Sequence, residues 1–176
     1  MYPTAYLDYL IYFHVDRDYF ECHEILEEHW KKQPATNRQP HWVGLIQIAV
    51  GLYHHRRGNM IGAIRMYNKA LQTVSLQANA LSHLGLDVDE LILLLNKQIK
   101  LAETPEEPFV DLNLPLDDST LLALCVDRSE QLEKKWIFTA SPYIDKALIH
   151  KHRDRNREDV INERLHQLQL KLKKRQ

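Results

Sequence analysis

Glycine is scarce in this chain, five residues in 176, and no stretch gathers them into a loop. That excludes the phosphate-cradling loop and the dinucleotide-binding glycine pattern, because both need clustered glycines to bring backbone N–H groups onto phosphate. A nucleophile elbow is also missing, and scattered serines supply no Ser-His-Asp set. Alternating β-branched runs are almost absent, so nothing reads as a half-buried strand. Cysteine is limited to Cys22 and Cys125, far apart and each inside a helical pattern. They read as small buried core residues, not as a disulfide. No segment approaches the ~18 uninterrupted apolar residues of a membrane span. The opening MYPTAYLDYL lacks a basic region followed by an apolar run, so no signal peptide is expected and the cytoplasm is the expected compartment. Excess charge is missing too. A formal net charge of −1 excludes the chain as a whole from electrostatic capture of nucleic acid.

What is present favours helix. Leu, Glu, Lys, Gln and Ala dominate, and with 44% hydrophobic and 27% charged residues a chain of this length buries a sizeable core. Residues 4–15 pattern as a first amphipathic helix, entered through Pro3. Asp18 with Glu21 forms a capping-box pair that opens a second helix to about Lys32. After the break QPATNRQP, Pro40 suits the first turn of a third helix over about 41–57. RGN, 57–59, then turns into a long fourth helix whose apolar residues run from Met60 to Leu81. Gly85 ends it, and Asp87 with Glu90 caps a fifth helix reaching about Ala102. Residues 104–117 hold three prolines and read as an extended strap, followed by a sixth helix over about 118–135 with Leu121, Leu122, Cys125 and Leu132 on its apolar side. A last helix begins near Asn156 and ends in a basic tail.

The expected fold class is all-α: a bundle of stacked antiparallel helical hairpins with a C-terminal helical extension. Gly51, Gly58, Ala63, Tyr67 and Ala70 match the small–small–small–aromatic–small spacing of a tetratricopeptide hairpin, with Cys22, Leu26 and Pro34 echoing it in the first hairpin. These are packing positions. Two stacked hairpins are expected, not a repeat array, with a hairpin core over 1–103 and the strap plus C-terminal helices, 104–176, packed on it.

The densest chemistry lies in DYFECHEILEEHW, 18–30. On a helix advancing ~100° per residue, Glu21, Glu24, Glu27 and Glu28 share one side, opposite a buried stripe of Tyr19, Cys22, Leu26 and Trp30. His23 and Glu27 meet at the boundary, at i and i+4. The plain reading is a solvated acidic face. The third helix suggests more, because Gln47, Gly51 and His54 fall on one side. If that side meets the second helix, Glu21, His23, Glu24, Glu27, Gln47 and His54 form one polar cluster, and His23, Glu27 and His54 are candidate ligands for a divalent metal. Glu27 stands where a zinc protease places its second His, which excludes that activity. No other cofactor is implied. Arg38, Arg56 and Arg57 are candidates for an anion or partner contact, and Arg56 and Arg57 alternatively for pairing with the second helix's glutamates.

Charge is unevenly spread. Residues 150–176 carry nine Lys/Arg against four Asp/Glu, and the stretch HKHRDRNRED, 150–159, offers His150, His152, Arg153, Arg155 and Arg157. No aromatic platform accompanies these arginines, so nucleic acid is a disfavoured partner. The better reading is an arm folded on its own acidic body, with Asp154 or Asn156 capping the last helix.

The segments FHVDRDYFECHEILEEHWKKQP (13–34), HWVGLIQIAVGLYHHRRGNMIGAIRM (41–66) and IHKHRDRNREDVI (149–161) resemble a bacterial family known as domain of unknown function 309. The resemblance covers about residues 5–100, implies a small cytosolic helical protein and carries no catalytic residues with it. Function is therefore read from the residues. The first reading is a non-enzymatic helical scaffold or protein-binding module, with another protein or a second copy as partner. The alternative is a metal-binding, hydrolytic protein with a His/Glu site between the second and third helices. A nucleic-acid contact through the basic arm comes third.

Overall fold

A computed structural model describes residues 1–104 and 106–136; the 150–159 stretch and the basic last helix lie outside the described residues. The described chain is all-α, as the composition predicts. Its first helix, α1 (Thr4–Ile11), continues as a π-helical turn over Tyr12–Asp16, so the predicted 4–15 helix is present but widens in its last turn. Arg17 ends it with a left-handed φ of 55°. Asp18 then caps α2 (Tyr19–Lys32), its side chain accepting the Glu21 N–H at 3.0 Å. Tyr19, Cys22 and Leu26 are buried as expected, joined by Phe20, while Trp30 is only half-buried.

Pro40 opens α3 (Pro40–Arg56), and Asn59 caps α4 (Met60–Leu76) by accepting the Gly62 N–H. Gly58, at φ 74°, makes the turn between them. Two of the expected packing positions, Gly51 and Tyr67, meet here, whereas Gly58 serves the turn and packs on nothing among the described residues. A Cβ on Gly51 would lie 2.6 Å from the Tyr67 ring, which is fully buried and held by a 3.3 Å hydrogen bond between its hydroxyl and His55 Nδ1. Only glycine lets α3 and α4 approach so closely with that ring between them. The long fourth helix expected from the sequence is broken at Gln77, and α5 (Ala78–His83) continues separately. Asn68, Thr73 and Ser75 all donate to the carbonyls four residues back, a competition that loosens and bends helices.

Asp87 caps α6 (Val88–Glu103) through the Glu90 N–H, while its own N–H donates to Pro115 O on the strap. The strap returns in extended form along the bundle. Leu86 and Leu116 form an isolated antiparallel bridge, and Leu112 and Leu114 are buried. Asp118 caps α7 (Ser119–Gln131), which packs on α1 through Leu121 and Cys125 and through Arg128 paired with Asp8 at 2.8 Å. This helix is shorter than the predicted 118–135 because Glu133 adopts φ 56° and Lys134 N–H closes back on Ser129 O. The helices pack in the order α7, α1, α2, α3, α4, α6, with α2 and α3 near the middle. Both cysteines are buried and free of disulfide. Among the described residues no helix is long and apolar enough to cross a membrane.

Candidate functional site

The polar edge of α2 assembles as its helical spacing requires. His23 Nδ1 lies 3.2 Å from Glu24 Oε1, and His23 Nε2 lies 3.7 Å from Glu27 Oε2. One ligand atom from each of the three falls within 4.8 Å of the others. All three are half-buried, and Glu27 also pairs with Lys31 at 3.0 Å. Glu21 and His54 lie outside this set.

Beside it, α2 and α3 enclose a pocket of about 360 Å³. Tyr19 and Phe20 from the first turn of α2, with Val50 and Tyr53 from α3, supply its apolar surface. His23, His54 and Arg57 supply the polar part. Arg57 Nη1 donates to the Tyr53 hydroxyl at 2.9 Å, and the guanidinium lies 5.1 Å from the centre of that ring. His54 is set by the cap of the next helix. Asn59 Oδ1 accepts the Gly62 N–H at 3.0 Å, which orients the amide so that Nδ2 donates to His54 Nδ1 at 3.1 Å. A neutral His54 ring therefore carries its proton on Nε2. It offers a donor there, not the lone pair a metal needs, and this separates His54 from the ligand role expected of it. His23 and His54 do share a site, but it is the pocket.

Other expected members go elsewhere. Gln47 turns toward α4, where its Oε1 accepts from Thr73 Oγ1 at 3.1 Å. Arg38 closes the C-terminal end of α2, donating to Lys31 O and Gln33 O and stacking over Trp30 at 4.7 Å. Arg56 stacks over Tyr19 at the other end of α2 and donates to Arg17 O at 2.6 Å. The three arginines therefore form no common anion site, because two are spent on backbone carbonyls and aromatic faces. Reading the sequence passed over Phe20, Val50 and Tyr53. The signal was available in α3, where Val50, Tyr53, His54 and Arg57 stand at i, i+3, i+4 and i+7, a single helical stripe.

A family model described as "Domain of unknown function (DUF309)" matches residues 6–66. The "Uncharacterized protein YpuF" of Bacillus subtilis (strain 168) is 43% identical over 176 residues, covering 99% of each chain. No solved structure matches.

Proposed function

Since the chain belongs to the DUF309 family, whose model spans both walls of the α2–α3 pocket, we propose that it is a helical protein-binding module that captures its partner in that pocket. The observation carrying this reading is the lining itself. Ring faces and one branched aliphatic side chain form a half-open cavity of small-ligand size, with donor groups at its rim. Aromatic and arginine side chains around a concave site are the usual anchors of protein recognition. Two buried cysteines without a disulfide fit a reducing compartment, so the reading places the protein in the cytoplasm. Panning a random peptide library, displayed from either end, on the full chain and on Val50→Trp tests it. Peptides sharing an apolar anchor should enrich on the natural chain and vanish on the filled pocket. Equal enrichment on both, with melting of the variant within a few degrees, would move the binding surface elsewhere.

A second reading is favoured by the His23, Glu24 and Glu27 geometry alone: a divalent metal held on the edge of α2. One imidazole and two carboxylates suit zinc, manganese or iron(II). Purified tag-free protein dialysed against each ion should retain about one equivalent, and His23→Ala with Glu27→Gln should retain none. Absence of uptake by the natural chain would end this reading.

A further inference from the structure

Arg57 is the one permanently charged side chain among the described residues that line the pocket. No carboxylate joins it there among those residues; Glu24 and Glu27, which the two ring nitrogens of His23 face, line a separate surface groove with Lys31 and Lys32. Arg57 commits a nitrogen to Tyr53, which holds the guanidinium at the rim over an aromatic face. A guanidinium has five N–H donors in a fixed fork that matches a carboxylate. The helix dipoles roughly offset, because the first turn of α2 and the last turn of α3 both border the cavity. The side chains therefore set the preference, and they ask for an apolar group with a carboxylate close to it.

Resting on the reading of this pocket as the protein-binding site, we infer that it takes the C-terminal residue of a partner polypeptide. Its apolar side chain packs on Phe20, Val50 and Tyr53, and its terminal carboxylate meets Arg57. A terminus fits better than an internal acidic residue for a geometric reason. In an extended segment successive side chains point to opposite faces, so an apolar residue and a neighbouring Asp or Glu do not enter one small cavity together. A terminal residue carries both groups on the same Cα. Capture of a chain-end carboxylate is a recurring mode of peptide recognition.

The test uses the ¹⁵N-labelled full chain titrated with N-acetyl-Ala-Ala-Phe as free acid and as C-terminal amide, following the amide resonances of Val50, Tyr53 and Arg57. Hydrogen bonds to a charged group are worth roughly 1.5–3 kcal/mol, so the free acid should bind about tenfold or more tightly than the amide. Arg57→Gln should erase that difference. Acid and amide binding equally at these residues would overturn the carboxylate inference and leave the pocket reading standing. If neither peptide shifts these resonances at millimolar concentration, the pocket reading falls and the inference with it. If 3-phenylpropionate binds as tightly as the peptide acid, the occupant is a small aromatic acid and the polypeptide end is overturned.

Discussion

Replacing Arg17 with methionine is expected to lower the unfolding free energy by about 3 kcal/mol and to free the strap from the bundle. Arg17 is 3% exposed and joins two parts of the chain far apart in sequence. Its Nη1 donates to Leu112 O at 3.0 Å and to Phe13 O at 3.3 Å, and its Nη2 donates to Asn113 Oδ1 at 2.5 Å. Arg56 in turn donates to Arg17 O, which fixes the backbone that presents the guanidinium. Phe13 O and Leu112 O, left buried without this donor, cost roughly 1–3 kcal/mol each, whereas Asn113 is exposed and its oxygen can accept from water instead. Removing a buried cation recovers part of that, so the net loss is smaller than the sum of these two terms. Denaturant melts measure the total, and hydrogen exchange at Leu112, Asn113 and Leu114 locates it. Arg17→Lys should restore less than half, because one ammonium cannot span both strap oxygens in the fork geometry. A loss below about 1 kcal/mol, with strap protection unchanged, would mean that Leu112 and Leu114 hold the strap by burial alone.

That strap marks the limit of what the sequence discloses. Helix starts were legible because they are local: Asp18 and Asp87 each accept a hydrogen bond from three residues ahead, and Pro40 needs only its own fixed φ. The Gly51–Tyr67 contact was legible because small and aromatic residues recur at hairpin spacing. Arg17 could not be read, since its partners lie 95 and 96 residues away and its left-handed φ is invisible in a non-glycine. The same division runs through the site. His23, Glu24 and Glu27 come together because a single helix sets their angles. Gln47 and His54 depend on how α3 is rotated between α2 and α4, and no local rule gives that rotation. In sequence, Arg38 and Arg56 look like free cations. Trp30 and Tyr19, which they cover, become their partners only when the fold closes.

The second large effect belongs to His14, which should make the protein lose stability steadily below neutral pH. The side chain is 1% exposed and packs against Phe13 and Trp136, with ring centroids 5.5 and 5.2 Å away. Burial, and then the positive charge of Arg17, lowers its pKa from the ordinary 6.5 to about 3. The unfolded chain therefore takes up a proton below about pH 6.5 that the folded chain refuses. Stability is complete above that pH, falls by about 1.4 kcal/mol per unit beneath it, and stops falling through this group only near the folded value. Between pH 6.5 and 4.5 the loss from His14 is about 2–3 kcal/mol. Burial also lowers His41 and His55, which add to the fall in the same direction. Asp118, held low by the Tyr2 hydroxyl, and Glu28, held low by Lys32, contribute only below the ordinary carboxylate range. The upper part of the acid limb is thus set by histidine. Urea melts of the natural chain and His14→Gln at half-unit intervals between these pH values should diverge in slope by about 1.4 kcal/mol per unit. Parallel limbs would assign the acid loss to the other histidines, whatever the variant's stability at pH 7.5. Because Arg17 helps to keep His14 neutral, the two sites should not be additive. In Arg17→Met the His14 pKa rises toward its ordinary value, and the acid limb attributable to this ring becomes shorter.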